Sequence, residues 1–265
     1  MRHFTYGPFL SRRLGLSLGV NILPNYKVCT FNCVYCEIGT TAENNLVSPI
    51  YRIKLPPTAQ FRKELASILI LFPHLKSITF GYNGEPTLNE NLLDFKKVAS
   101  EVRDKIEWSS EKPLLTLFTN SSTLYIPEIR ERVKEFEYIL AKLDVATDKD
   151  FKITNRPHNK SPNIDTIIES LVKLRKEKPK EHKLVIQSLI YNSYNEDIFP
   201  NNNDSNLAKL AQALKKIKPD FVQIYTTARI PAEYYVYGID DIRKKEIVNF
   251  LEELVQDKNI KINFY

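Results

Sequence analysis

Cys29-Thr30-Phe31-Asn32-Cys33-Val34-Tyr35-Cys36 holds all three cysteines of a 265-residue chain within eight residues. Nothing is left over for a disulfide framework or a second thiolate site. Three thiolates on one loop can hold three irons of a [4Fe–4S] cluster and leave the fourth iron open. An open iron is a place for a ligand, and so for chemistry. Structural zinc instead takes four ligands, commonly as paired C-x-x-C units closed by a fourth Cys or His. Here the first gap is three residues, and His3, His74, His158 and His182 are all scattered away from the loop. A zinc site that recruits one of them, or three simply buried apolar thiols, are the alternatives.

Outward from this loop, apolar β-branched runs recur at 17–22, 77–80, 114–118, 138–143, 184–190, 221–225 and 260–264. Helical periodicity fills the gaps, at 58–72, 89–107, 126–136, 163–177, 204–217 and 240–256. Asp204 or Ser205 and Asp240 are the expected helix caps. Strands alternating with helices predict crossover units and a parallel sheet. Six such units give an α/β fold, a partial (β/α)6 TIM-like barrel, with a last strand as an extra edge. One domain over residues 1–265 is expected, with its core at 17–230 and a carboxyl-terminal helix and strand at 240–265.

In such barrels chemistry collects on loops after the carboxyl ends of the strands. The cysteine loop follows the first run. Gly81-Tyr82-Asn83-Gly84-Glu85-Pro86-Thr87-Leu88 follows the second, Thr119-Asn120 the third and Asp144 the fourth. Gln187 lies on the fifth run, and Thr226-Thr227-Ala228-Arg229 follows the sixth. Six of the seven glycines lie in the first 84 residues. Turn-making accounts for Gly7, Gly15 and Gly39. Gly84, beside a carboxylate and a proline, is expected to let a ligand approach the backbone.

Composition sets wider bounds. Hydrophobic content of 43% and charged content of 26% describe an ordinary globule. No run of about 18 apolar residues would make a membrane span. Arg12-Arg13 resembles a twin-arginine signal, but Asn21, Pro24 and Asn25 interrupt the stretch that follows. Iron-ligating thiolates favour a reducing compartment, so a cytoplasmic location is expected. The net charge of +6 is compatible with an RNA substrate, but charge alone favours a Lys-rich surface kept for solubility. Lys178, Lys180 and Lys183, interleaved with Glu177 and Glu181, read as a solvated face.

The C-x-x-x-C-x-aromatic-C pattern, with Tyr35 before the last cysteine, resembles the radical S-adenosylmethionine (SAM) superfamily. The likeness extends over Tyr6 to Asn21, Pro24, Gly81 to Leu88, Leu143-Asp144 and Asn155-Arg156-Pro157. It continues through Gln187 and Gln223 to Arg229, with Pro231 and Glu233. Over these stretches the chain resembles compact radical SAM proteins related to the tRNA wyosine-base synthases. Residues after about Glu233 carry no shared motif.

The resemblance implies a [4Fe–4S] cluster on Cys29, Cys33 and Cys36, with SAM bound at the open iron. It implies reductive cleavage of SAM to methionine and a 5′-deoxyadenosyl radical that abstracts hydrogen from a substrate. Asn83, Gly84, Glu85 and Pro86 form the segment that would hold the methionine amino group, by carboxylate or by backbone carbonyl. Tyr35 would pack near the adenine. Thr119 and Asn120 would contact the methionyl carboxylate or the ribose, or else cap the helix that follows. Asp144 and Gln187 would face the same pocket or hydrogen-bond within the barrel.

The archaeal wyosine synthases use a second cluster, which this chain cannot build from its own cysteines. An external ferredoxin or flavodoxin is the expected electron donor. Three function classes follow. The first is a radical SAM oxidoreductase acting in tRNA or nucleotide modification, with Arg156, His158, Arg229, Tyr234, Tyr235 and Tyr237 near the nucleic acid. The second is an activase that installs a glycyl radical on a protein partner. The third is a non-catalytic zinc protein.

Overall fold

The computed structural model describes residues 2–265. Along the chain run β1 (Thr5–Ser11), β2 (Gly15–Val20), α1 (Ala59–Leu69), β3 (Ser77–Phe80), α2 (Leu92–Arg103) and β4 (Leu114–Thr119). Next come α3 (Pro127–Val133), β5 (Tyr138–Lys142), α4 (Asp148–Thr154), α5 (Ile164–Glu177), β6 (Lys183–Leu189) and β7 (Asn192–Ser193). The chain ends with α6 (Asp204–Ile217), β8 (Phe221–Tyr225), β9 (Val236–Tyr237), α7 (Asp241–Val255) and β10 (Lys261–Phe264). Eight strands form one sheet in the order β1-β2-β3-β4-β5-β6-β8-β10. From β2 onward every pair is parallel. β1 and β10 are the two edges, so the sheet is an open, partial barrel with β10 as its extra strand.

Helix starts follow local chemistry. The side chains of Thr58, Thr147, Asn163 and Asp240 accept the free N–H three residues on, and Pro127 opens α3. Asn203, rather than Asp204 or Ser205, caps α6, because its side-chain oxygen reaches the Asn206 N–H.

The two faces of the sheet differ. On the outer face Ile78, Phe80, Leu115, Leu117, Ile139, Ile186, Val222 and Ile224 share one buried cluster with the helices. The inner face, set by alternation and register, carries Ser17, Gly19, Ser77, Thr79, Thr116, Lys142, Gln187, Gln223 and Asn263 among the apolar Phe118, Leu140, Val185 and Leu189. Parallel strands covered on both sides usually read as apolar runs. The polar inner face therefore marks where the molecule keeps its chemistry.

Three elements lie outside the sequence expectations. β1 pairs antiparallel with β2 and lays the Tyr6 ring on Gly19, where a Cβ would sit 2.0 Å from the ring. The Tyr6 hydroxyl donates to the Gly81 carbonyl at 2.6 Å, while Glu64 of α1 accepts from the His3, Phe4 and Thr5 N–H groups. α4 is a short helix behind the cysteine loop, and β7 and β9 pair as a two-residue ribbon. Lys178 corrects the solvated-face reading. Its side chain is buried, its ammonium donates to the Pro179 and His182 carbonyls, and Asp220 lies 3.4 Å away.

Candidate functional site

The cysteine loop is fastened on two sides. On one side Val28 N–H donates to the Asn83 carbonyl at 2.8 Å, and Glu85 N–H to the Val28 carbonyl at 3.1 Å. On the other, Asn32 and Val34 N–H groups bond carbonyls at the end of α4. Gly84 is the pivot of the first fastening. It takes a φ of +128°, and a Cβ there would lie 1.7 Å from the Val28 oxygen. The close approach this glycine permits is thus from the cysteine loop itself.

Cys29 is buried, and Cys33 and Cys36 are half-buried. Each sulfur is met by one side-chain N–H donor. Lys27 Nζ lies 3.2 Å from Cys36 Sγ, Asn120 Nδ2 3.5 Å from Cys29 Sγ and Asn155 Nδ2 3.4 Å from Cys33 Sγ. Burial, then the neighbouring Cys33, pushes the Cys29 thiol up to about 12. Burial, then Cys36, pushes Cys33 up to about 11. Such thiols ionise when a bound metal supplies the missing positive charge. Among the described residues no three His, Cys, Asp or Glu side chains converge on a single ion. Three free thiols on one loop, each faced by an N–H donor, are a donor set that fits a cluster held by three cysteine thiolates.

Glu85 is buried beneath the loop, and its carboxylate is occupied. Thr87 Oγ1 (2.6 Å), Thr119 Oγ1 (2.9 Å) and Thr87 N–H (3.2 Å) donate to Oε1, and Asn120 N–H (2.6 Å) donates to Oε2. Burial raises its pKa against these hydrogen bonds. Glu85 thus joins the ends of β3 and β4 and caps the turn Pro86–Leu88. Asn83 donates to the Pro24 carbonyl at 2.8 Å. Thr119 and Asn120 also cap their own turn, accepting from Ser121 and Ser122 N–H. Asn120 Nδ2 reaches Thr30 Oγ1 at 2.8 Å, next to the cysteines.

Asp144 is a second saturated carboxylate. Lys142 Nζ (2.9 Å) and Leu189 N–H (2.8 Å) meet Oδ1, while the Tyr35 hydroxyl and Asn155 Nδ2 (3.0 Å) donate to Oδ2. Tyr35 is itself packed among Val34, Leu189, Tyr191 and Tyr235. Lys142 also donates to the Tyr225 hydroxyl at 2.7 Å. Burial lowers the Lys142 pKa, but Asp144 and Tyr225 outweigh it and the net shift is upward. Gln187 donates to Gln223 at 2.7 Å, and its own Oε1 is buried without a partner.

Lys27, Lys142 and Asn155 are site residues that sequence reasoning did not single out. Asn155 sat inside a shared motif, and Lys142 was a lone cation in an apolar run; Lys27 carried no signal. On the rim, Arg156 pairs with Glu233 and bonds the Tyr235 hydroxyl at 2.8 Å, and Arg229 pairs with Glu37 at 2.9 Å. Tyr194 lies against Tyr234 and Tyr237, all three exposed.

A cavity of about 10 Å³, bordered by Phe31, Asn120, Lys142, Asp144 and Asn155, lies under the loop, enough for one water. A larger one of about 460 Å³ opens beside Lys183, Phe221 and Lys261, at the opposite ends of the strands. Chemistry is placed at the thiol-bearing end, because the three thiols and the motif residues around Glu85 and Asp144 meet there.

The Radical SAM superfamily profile matches residues 26–214. A UPF0026 protein of Methanocaldococcus jannaschii is 30% identical over 97% of this chain and 74% of its own length. A Brachyspira hyodysenteriae protein named GTPase Obg is 29% identical over 93% of this chain but only 33% of its own length. The chain thus spans about a third to three-quarters of these two relatives. SuiB of Streptococcus suis, bound to SAM, superposes with a TM-score of 0.61 at 12% identity, covering 93% of this chain and 50% of SuiB. TYW1 with a lysine–pyruvate adduct superposes at 0.57 and 13% identity, covering 89% of this chain and 73% of TYW1. At these identities the structures establish the fold alone. The profile covers well over half of the chain, which therefore belongs to the radical SAM superfamily, as an enzyme whose cofactors are a [4Fe–4S] cluster and SAM.

Proposed function

We propose that this protein, as a single catalytic domain, reductively cleaves SAM to make a 5′-deoxyadenosyl radical for hydrogen abstraction in RNA or nucleotide modification. The observation that carries the reading is three thiols on one loop at the carboxyl ends of the strands, each faced by an N–H donor. Cys29, Cys33 and Cys36 hold the cluster, which supplies the electron when bound. Lys27, Asn120 and Asn155 hold the sulfurs in place and temper their charge.

Because four internal donors occupy the Glu85 carboxylate, the backbone of the Asn83–Pro86 segment, rather than the carboxylate, meets the methionine ammonium. Glu85 is a positioning residue. Thr119 and Asn120 border the SAM pocket beside Cys29. Tyr35 and Asp144 form its buried wall, tied together through Asn155, and Gln187 stands on the inner face beside it. A nucleic-acid substrate is supported by the exposed tyrosines of the rim, since bases stack on aromatic faces. A ferredoxin or flavodoxin supplies electrons in the cytoplasm.

The test is anaerobic reconstitution with iron and sulfide, reduction, and incubation with SAM. Methionine and 5′-deoxyadenosine are the expected products. Zinc without sulfide in the purified protein would overturn the reading. Cleavage stimulated by a protein partner, and not by RNA, would redirect it to an activase.

A further inference from the structure

Four side chains alternate in charge character from the cysteine loop into the concave face. The Tyr35 ring lies 4.6 Å from Lys142 Nζ, which lies 4.9 Å from the Tyr225 ring. On Tyr225 sits the Arg13 guanidinium, 4.0 Å from the ring centroid. Arg13 comes from the turn between β1 and β2, at the other side of the open sheet, so it reaches across the concavity. Lys142, Gln187 and Gln223 stand in register on neighbouring strands, and Tyr225 is two residues beyond Gln223. All four side chains therefore share the inner face.

Two polar atoms in this group lack partners. Arg13 Nη1 is buried with none, and so is Gln187 Oε1. Arg13 joins no ion pair among the described residues, and a cation–π contact with the Tyr225 ring leaves the N–H fork unspent. Lys142 Nζ has three N–H groups, of which Asp144 and Tyr225 take two. Arg13 is half-buried, but its Nη1 is sealed from water without a partner, and native structures rarely leave a buried polar atom so without a reason. Its fork suits the planar or tetrahedral oxygens of a carboxylate or phosphate.

We propose that Arg13 and Lys142 form an anion clamp for the substrate, which presents a carboxylate or phosphate to both cations and a donor N–H or O–H to Gln187. The clamp rests on the reading of this mouth as the SAM-dependent active site. It makes Arg13 a specificity-determining residue. Were Arg13 only a strut between the hairpin and β8, it would hold those elements together without binding an anion.

Reconstituted wild-type protein is titrated with inorganic phosphate and, separately, with acetate, at ionic strength held constant with chloride, while the melting temperature is followed. A ligand of the native state raises it saturably. One of the two anions is expected to do so, and which one distinguishes phosphate from carboxylate. In Arg13→Gln the half-saturating concentration is expected to rise at least tenfold. If that variant fails to fold, Arg13→Lys, which keeps the cation but loses the fork, is expected to weaken binding several-fold. No saturable shift with either anion, or equal midpoints in wild type and variant, overturns the clamp. Displacement of the anion by SAM also overturns it, because the clamp would then serve the SAM carboxylate. Wild-type protein that cleaves SAM without anion binding sinks the clamp and leaves the reaction class standing. Anion binding through Arg13 without SAM cleavage does the reverse.

Discussion

The outer face of the sheet and its inner face are made by the same strands, one residue apart, yet they follow opposite rules. On the outer face apolar side chains interdigitate with the helices, and any loss there is a loss of packing. On the inner face hydroxyls, carboxamides and Lys142 stand where a buried parallel sheet usually has Val or Ile. Polar groups held this way cost stability unless partnered. Ser77, Thr79 and Thr116 bond one another, Lys142 bonds Asp144 and Gln187 donates to Gln223, which leaves the Gln187 oxygen unpartnered in the mouth. The difference teaches that folding is secured outside and that the inner surface is free to serve the site.

Substitutions can break that comparison. Phe80→Ala, on the outer face, should cost about 3–5 kcal/mol in urea unfolding, through a cavity against Phe136 and its neighbours. A cost near zero would mean the outer face is not the main source of stability. Gly84→Ala should follow at about 2–4 kcal/mol, since the new Cβ collides with the Val28 backbone at a positive φ. Cluster loading should fall with it, because the cysteine loop must shift. A variant with normal stability and normal iron content would show that the fastening does not matter.

A smaller effect is expected from the pH dependence of Glu85. Its folded-state pKa is raised above 4.5 by burial, so the folded state binds the proton more tightly than the unfolded state. Stability from this group should therefore grow as pH falls through the raised value toward 4.5, and diminish as pH rises through it. The pH slope of wild-type stability should differ from that of Glu85→Gln inside that window and match it on either side. The same slope in both proteins throughout would contradict the assignment. Smallest of all, Gln187→Leu should change stability by no more than about 1 kcal/mol, because removing one unpartnered buried oxygen offsets the Gln223 oxygen that loses its donor. A loss of several kcal/mol would show that Gln187 belongs to the structural rather than the free part of the inner face.

Much of this architecture was legible in the sequence, for reasons that are local. The strand runs, the helix periodicity, the Asp240 cap and the thiol spacing each sit within a few consecutive residues. β1 was not legible, because Gly7-Pro8 interrupts any alternation and its pairing is settled by Tyr6 lying on Gly19. α4 spans seven residues, too few to show a period. Lys178 looked solvated from its charged neighbours, whereas Asp220, 42 positions away, faces it in the fold. The motif around Glu85 was visible, but its saturation by Thr87, Thr119 and Asn120 is a property of two strand ends meeting. Arg13 stood in plain sight in a shared motif; only the fold brings it to Tyr225.

The most direct test of the central claim is 5′-deoxyadenosine formation by reduced, reconstituted wild type and by Cys29→Ala, Cys33→Ala and Cys36→Ala, with iron and sulfide counted in each. The account predicts about four irons and four sulfides with SAM cleavage in wild type. In each variant it predicts loss of the product, with a melting temperature close to that of the iron-free wild type. Wild-type product yield from any of the three variants would contradict it.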